Sequence, residues 1–207
     1  GHTRLFEWMY DEPDLVHRLF DVVAQTLAAW ILEQKRHIAD PDGITYCQIL
    51  ALPEGFGAVL AEDDAVFMSP RLYRKFCVPA NIKVFAALGG GMLHFFGDAT
   101  HHIDSFRETE GLRGFHTIPL GNLDILAKLQ GCLGEQTMLV AAEFLPSNPE
   151  RYYPELVKRL DPRHLIVEPY VVETVLLDEG GYKEANNDRL ALAERVRQIV
   201  TDALHGN

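Results

Sequence analysis

The alternation of apolar and polar positions predicts a helix followed by two short strands in the first third of the chain. After the acidic segment at residues 11–14, apolar residues recur every three or four positions. This spacing predicts one amphipathic helix that ends near Arg36. Two short β-like runs, Ile44–Leu52 and Gly57–Ala61, come after the turn-forming residues 40–43.

From Ser69 onward, helical and strand-like patterns alternate regularly. Ser69 is a typical N-cap residue and Pro70 suits the first helical position, so a helix is expected from there toward Gly89. Pro79 should kink or break that helix, because proline lacks an amide donor. The later pattern predicts strands at Met92–Phe96, Phe115–Pro119, Thr137–Phe144 and His164–Val171, and helices at Ile103–Glu108, Ile125–Leu129, Pro149–Leu160 and Asp188–Leu204.

Strands that alternate with helices are typical of βαβ units and a parallel sheet. The predicted strands are nearly continuous apolar runs, as expected for strands that are covered on both faces. Five or six such strands are too few for a closed eight-stranded barrel, which typically needs about 250 residues. We therefore predict one α/β domain over residues 1–207, of the (β/α)8 TIM-barrel type but containing only part of the barrel.

Composition and charge restrict the possible partners. The chain has 207 residues, 47% of them hydrophobic, and a formal net charge of -11. Such a surface repels phosphate backbones and anionic lipid, so we expect a small-molecule substrate, no nucleic acid and no membrane. The three cysteines, Cys47, Cys77 and Cys132, are far apart and form no CxxC pair, so neither a disulfide framework nor a thiolate zinc knuckle is indicated. A reducing cytoplasm is the expected location.

Ionisable side chains follow the predicted strands, at the end where parallel barrels carry their active sites. Glu62, Asp63 and Asp64 can supply a general acid or bind cationic nitrogens, although a solvated turn has the same composition. A carboxylate at the end of an apolar strand is costly to bury unless it has a partner. The candidate catalytic residues are Asp63, Asp64, His94 and Glu168, and the candidate substrate-binding residues are Glu62, Asp98, His116, Glu143 and Tyr170.

The histidines leave two interpretations open. His94 lies inside an apolar strand, where a hydrogen-bonded core histidine is more common than a ligand. His101 and His102 could bind a metal together with His94 and Asp98, but paired loop histidines usually bind none. We therefore predict no metal ligands and no cofactor.

Five segments of the chain together resemble the uroporphyrinogen decarboxylase superfamily, which also contains zinc-dependent corrinoid:thiol methyltransferases. Residues 62–64 and 68–76 resemble its aspartate-bearing strand end and "SPxxYxxF" helix start. Residues 93–98 resemble its "LHxCG(N/D)" strand, residues 126–146 its "LxxLKxxFG…xFxGGIDP" stretch, and residues 14–19 its "DPELVHRLL" helix. The resemblance implies a (β/α)8 barrel with a deep pocket at the carboxyl face, of which this chain is the C-terminal part.

The chain departs from both branches of that superfamily. His94 matches the histidine of the zinc-binding "HxC" motif, but Phe96 replaces its cysteine, and no cysteine follows Cys132. Zinc in those enzymes requires the thiolates, so we expect none at this position. The decarboxylase branch takes its arginine-rich loop and key aspartate from its N-terminal half, which we expect to lie before the start of this chain. The carried-over residues are Asp63 or Asp64 and His94, and less directly Glu143 and Glu168.

Three functions are compatible with these residues. The first is a decarboxylase-like lyase acting on a tetrapyrrole or other polycarboxylate, in which an Asp or Glu protonates the ring and stabilises the developing cation. The second is corrinoid-linked methyl transfer at a non-thiolate metal site. The third is a barrel homologue or subunit without catalysis. An incomplete barrel leaves sheet edges unpaired, so we also expect a homodimer or a requirement for the missing N-terminal half.

Overall fold

The computed structural model describes residues 1–38, 56–135, 137–170, 174–176, 182–184 and 189–206. The predicted strand Ile44–Leu52 lies outside these residues. The α-helices are α1 (His2–Asp11), α2 (Pro13–His37), the single turn α3 (Pro70–Leu72), α4 (Val78–Leu88), α5 (Ile103–Glu108), α6 (Leu123–Gln130), α7 (Pro149–Arg159) and α8 (Arg189–His205). The strands are β1 (Ala58–Ala61), β2 (Gly91–Phe96), β3 (Leu112–Ile118), β4 (Met138–Phe144), β5 (Leu165–Tyr170), β6 (Thr174–Leu176) and β7 (Tyr182–Glu184).

The first five strands form a parallel sheet in the order β1-β2-β3-β4-β5, flanked by helices. Each strand neighbours the next one along the chain, which is the arrangement of a (β/α) barrel. This confirms the predicted α/β class and the partial TIM-barrel type. The register pairs Ala61 with His94, and pairs Val140 of β4 with both His116 and Ile166.

The chain divides into two compact units. The first comprises Gly1–His94 and His101–Arg113, and the second comprises Phe95–Thr100 and Gly114–Asn207.

In the first unit, α2 packs on α4 and on the helical segment before it. Val16, Ala24 and Ile31 are buried on the side of α2 that makes this contact. The Ser69 hydroxyl accepts a hydrogen bond from the Leu72 amide, so it caps α3 as predicted. A π-helical turn, Tyr73–Cys77, then joins α3 to α4. Pro79 lies in the first turn of α4. The break that Pro79 predicts in the helix is therefore present as the π-helical turn just before α4.

In the second unit, α7 and α8 pack against each other, and a small core forms around Leu145, Tyr153 and Val196. β4 is almost entirely buried, in agreement with its continuous apolar sequence. The antiparallel pair of β6 and β7 was not predicted from the sequence. Helix α1 was not predicted either.

Within the described ranges, α2 alone is long and apolar enough to cross a membrane. Its most apolar window has a mean hydropathy of 1.3 and it lies near the N-terminus. Core helices of soluble proteins and signal sequences share these features, so the length and composition are weak evidence for a membrane span.

Candidate active site

The carboxylate of Glu62, directly after β1, is held by two buried side chains of the first unit. It accepts hydrogen bonds from the Tyr73 hydroxyl and from the Asn81 amide nitrogen, the latter at 2.7 Å. Tyr73 and Asn81 are both buried, and they come from the π-helical turn and from α4. The Glu62 amide in turn donates to the His94 carbonyl at 2.7 Å, which fixes the backbone at the strand end.

Burial raises the pKa of Glu62 above its ordinary value, and the hydrogen bonds from Tyr73 and Asn81 offset part of that shift. Burial likewise raises the pKa of Tyr73 and of the nearby Cys77 thiol, with a further increase from the Glu62 carboxylate. Tyr73 therefore stays a neutral donor at physiological pH. A carboxyl group with a raised pKa that keeps a hydrogen-bond donor beside it is suited to general acid catalysis.

The two aspartates that follow lie in different surroundings. Asp63 is exposed and its Oδ1 atom lies 3.5 Å from Nε2 of the buried His94. Asp64 Oδ1 lies 2.8 Å from His2 Nδ1, and both of these side chains are substantially exposed. The predicted catalytic residues Asp63 and His94 are thus adjacent, whereas Asp64 contacts the first turn of α1.

A cavity of about 400 Å³ opens beside these acids. Its wall combines acidic residues with apolar side chains of α1 and α2. The lining residues are His2, Leu5, Phe6, Met9, Phe20, Ala61, Glu62, Asp63, Asp64, Ala65, Met68, Tyr73 and Cys77. Mostly apolar walls with a few convergent polar groups are typical of small-molecule sites. No lysine or arginine is among these lining residues.

His101 and His102 hold the acidic turn in place. The ring of His101 bonds the Met68 carbonyl at 3.0 Å and that of His102 bonds the Ala65 carbonyl at 2.8 Å. The buried His102 ring also stacks on Tyr73, with 4.3 Å between ring centroids. These histidines, considered from the sequence as metal ligands, therefore have carbonyl partners on the turn after Asp63 and Asp64.

Acid is expected to destabilise the protein through His102. Burial lowers the pKa of this histidine from 6.5 to about 4, so between these values the unfolded chain binds a proton that the folded chain does not. This group should remove about 2 kcal/mol of stability as pH falls from 7 to 5, and urea unfolding at the two pH values measures it. His102→Gln should reduce that pH dependence, whereas the exposed His205→Gln should leave it unchanged. An unaltered pH dependence in His102→Gln would contradict the assignment.

In the second unit, His116 and Glu168 form a close pair. His116 Nε2 lies 2.6 Å from Glu168 Oε2, and the His116 side chain is fully buried while that of Glu168 is 17% exposed. Phe144 stacks obliquely against both Phe96 and Tyr170, with centroids 6.1 and 5.9 Å apart. Glu168 and Tyr170 both come from β5, so this strand supplies a carboxylate and an aromatic ring to the second unit.

Glu143, at the end of β4, binds the backbone of a strand-end loop. Its carboxylate accepts from the Gly121 amide at 2.6 Å and from its neighbour Phe144 at 3.0 Å. Leu120, next to Gly121, has a φ of 52°, an uncommon conformation for a leucine. Burial raises the pKa of Glu143, and the two amides offset part of that increase. The nearby Glu143 carboxylate also contributes to raising the pKa of the buried Tyr152 hydroxyl. The geometry of these two groups does not meet the criteria for a hydrogen bond.

Asp98 lies in the loop that follows β2. It is exposed, and its carboxylate accepts from the Thr100 amide at 2.8 Å. This contact is a local turn of the kind that aspartate commonly stabilises. Its substrate-binding role remains a prediction.

The zinc site of the methyltransferase branch does not fit this donor set. Phe96 stands at the position of the first thiolate and contributes no ligand atom, and it packs on Phe144. Among the residues that the structure describes, no three His, Cys, Asp or Glu side chains are grouped so that they could hold a metal ion.

The parallel sheet, with Glu62, Asp63 and Asp64 directly after β1, is typical of the (β/α)-barrel class. A family model described as uroporphyrinogen decarboxylase (URO-D) matches residues 1–140. The chain belongs to the uroporphyrinogen decarboxylase family, as the resemblance of its motifs predicted. No curated protein matches the chain. That the chain is the C-terminal part of a barrel remains a prediction.

Sequence reasoning did not find Tyr73 and Asn81. Tyr73 is the tyrosine of the "SPxxYxxF" motif, which indicates the family but not a role for this residue. Asn81 lies in an otherwise apolar helix. A polar residue on the buried face of a helix requires a partner, so Asn81 could have been flagged by that rule. The π-helical turn that directs both side chains to Glu62 has no comparable sequence pattern.

Proposed function

We propose that this protein acts as a decarboxylase-like lyase on a tetrapyrrole or other polycarboxylate. The observation that carries the proposal is the Glu62 carboxyl group, held by Tyr73 and Asn81 beside the cavity, with its pKa raised by burial. Membership of the family supports the same class of reaction but leaves the substrate open.

Loss of CO₂ from an acetate side chain needs a proton donor and a group that stabilises positive charge. Protonation of the ring makes it an electron sink, and the electron pair of the breaking C–C bond to the carboxylate moves into it as CO₂ leaves. A proton then adds to the side-chain carbon, and the ring loses the proton that it gained, which restores the pyrrole. One proton is consumed in total for each carboxylate released. Glu62 is the proposed proton donor, and Asp63 beside His94 is the proposed stabiliser of the cationic ring.

The charge of the cavity limits how such a substrate can bind. Its acidic side, formed by Glu62, Asp63 and Asp64, suits pyrrole N–H donors rather than carboxylates. His2 is the only residue among the lining side chains that can carry positive charge. We therefore propose that the nitrogen side of the substrate faces these acids and that its carboxylates point away from them.

Turnover of uroporphyrinogen, compared with a monopyrrole that carries an acetate, is the direct test. We expect release of CO₂ with one or both substrates and decarboxylated products by mass spectrometry. Absence of CO₂ release from both substrates, with a folded protein, would contradict the proposal and favour the non-catalytic alternative.

Replacing Glu62 by glutamine should lower the rate of CO₂ release about 100-fold or more, because the amide cannot donate the proton. The wild-type rate should fall as pH rises through the raised pKa of Glu62, since only the neutral acid donates, and this limb should flatten in Glu62→Gln. Initial rates from pH 5 to 9 measure both effects. The exposed Glu110→Gln is the matched control and should keep the wild-type rate and profile. A Glu62→Gln rate within threefold of wild type would exclude Glu62 as the acid.

A further inference from the structure

Three aromatic side chains lie at strand ends in the second unit. Phe96, Phe144 and Tyr170 are the last residues of β2, β4 and β5, and all three are half-buried. The Phe144 ring contacts both of the others, with its centroid 6.1 Å from that of Phe96 and 5.9 Å from that of Tyr170. These three rings are here called the aromatic patch.

The rings of the aromatic patch do not form a flat stack. The Phe144 ring is inclined by 57° to the ring of Phe96 and by 57° to the ring of Tyr170. Because neighbouring rings are tilted against each other, more than one ring can contact the same small group. Several aromatic rings around one group are the feature by which aromatic cages recognise quaternary ammonium ligands.

A carboxylate lies on the same face of the sheet as the aromatic patch. Tyr170 pairs with Phe144 in the β4–β5 ladder. Glu168 stands two residues before Tyr170, about 7 Å along β5, so both side chains point to the same side. The Oε2 atom of Glu168 contacts His116 at 2.6 Å, and the Glu168 side chain is 17% exposed, so its carboxyl group is partly accessible. A ligand on the aromatic patch therefore has a carboxylate beside it.

We propose that the aromatic patch and Glu168 bind a small alkylated ammonium cation, with its methyl groups against the rings and its charge toward the carboxylate. Ring faces attract cations, and the alkyl groups add apolar contact that a primary ammonium lacks. Glu168 supplies charge complementarity, which an uncharged ligand of the same shape cannot use. The net charge of -11 also favours the approach of a cation. This proposal is independent of the proposed lyase activity, whose residues lie in the first unit.

Choline and its uncharged isostere 3,3-dimethylbutan-1-ol test the role of the charge. We expect choline to bind with a dissociation constant of about 1 mM or tighter, and the alcohol to bind about tenfold more weakly or worse. NMR titration of the choline methyl signal measures the affinity, and ring currents should shift this signal upfield when the methyl groups lie over ring faces. Absence of choline binding, equal affinity for the two probes, or no upfield shift would overturn the proposal.

Substitutions in the second unit test where choline binds. Tyr170→Leu should weaken choline binding about fivefold or more, whereas Tyr170→Phe keeps the ring and should stay within about twofold of wild type. Glu168→Gln keeps the shape of the side chain without its charge, so it should weaken choline binding about fivefold and leave binding of the alcohol unchanged. Phe67→Leu removes an exposed ring of the first unit and is the matched control, with wild-type affinity expected.

Two further measurements separate this site from misfolding and from the cavity beside Glu62. Each variant is compared by its thermal melt, and Phe96→Leu, with the same expected loss, replaces Tyr170→Leu if that variant does not melt cooperatively. Asp63→Asn removes a charge from the cavity of the first unit and should leave choline binding unchanged. Wild-type choline affinity in a folded leucine variant, or loss of choline binding in Asp63→Asn, would overturn the proposal.

Discussion

Replacing Gly114 by alanine is expected to cost about 3 kcal/mol or more of stability, which lowers the melting temperature by roughly 10 °C. Gly114 pairs with Met138 in the β3–β4 ladder, and a Cβ atom there would lie 2.1 Å from the Met138 carbonyl oxygen. That oxygen belongs to the backbone, so it cannot rotate away, and the two strands must separate. His116 lies two residues further along β3, so we also expect its contact with Glu168 to be disturbed.

Gly131→Ala is the matched control for that substitution. Gly131 also has a negative φ, and its new Cβ would lie 3.7 Å from the nearest atom, an ordinary contact. Its stability should stay within about 0.5 kcal/mol of wild type or rise slightly, because alanine reduces the freedom of the unfolded chain. Thermal and urea unfolding of both variants measure the difference. Equal stability of the two variants would contradict the close approach of β3 and β4.

Elements with strong local determinants could be predicted from the sequence almost to the residue. α5 has the predicted bounds, and β2 begins one residue earlier than predicted. Gly89 ends α4 in the left-handed conformation with a φ of 78°, as expected for a glycine that follows a helix. In these segments the cap residues and the continuous apolar pattern agree with the tertiary structure, so local reasoning was sufficient.

The missed elements depend on contacts that are distant in sequence. α1 has a single buried residue, Met9, and its N-terminus lacks a side-chain cap, so no cap residue marks its start in the sequence. It forms one wall of the cavity, and His2 at its start contacts Asp64. The π-helical turn between α3 and α4 likewise follows from packing around Tyr73.

In the candidate site, too, some features could be predicted from the sequence and others depend on contacts that are distant in sequence. The position of polar residues after apolar strands indicated candidate residues for the chemistry, and Asp63 with His94 and His116 with Glu168 do lie next to each other. The different surroundings of Glu62, Asp63 and Asp64 could not be predicted, because three adjacent acids look alike in sequence. Only the partners of Glu62 in the fold separate it from its neighbours.

Removal of the Glu168 carboxylate is expected to destabilise the second unit by about 3 kcal/mol, because it breaks a pair whose histidine is fully buried. In the sheet, His116 pairs with Val140 and Glu168 pairs with Ala142. Val140 and Ala142 are two residues apart on β4, so their side chains point to the same side. His116 and Glu168 therefore share one face of the sheet. The His116–Glu168 contact spans β4, which lies between the two strands. The small side chain of Ala142 leaves space for this contact.

A double-mutant cycle separates this pair from general loss of packing. Glu168→Ala and His116→Ala should each cost about 3 kcal/mol, and the double variant should cost clearly less than the sum, with a coupling of about 1.5 kcal/mol or more. Glu168→Gln keeps an acceptor of the same shape and should cost only about 1 kcal/mol. Urea unfolding of the four proteins measures the cycle. A coupling below about 0.5 kcal/mol would show that the 2.6 Å contact contributes little to stability, and that His116 and Glu168 act independently.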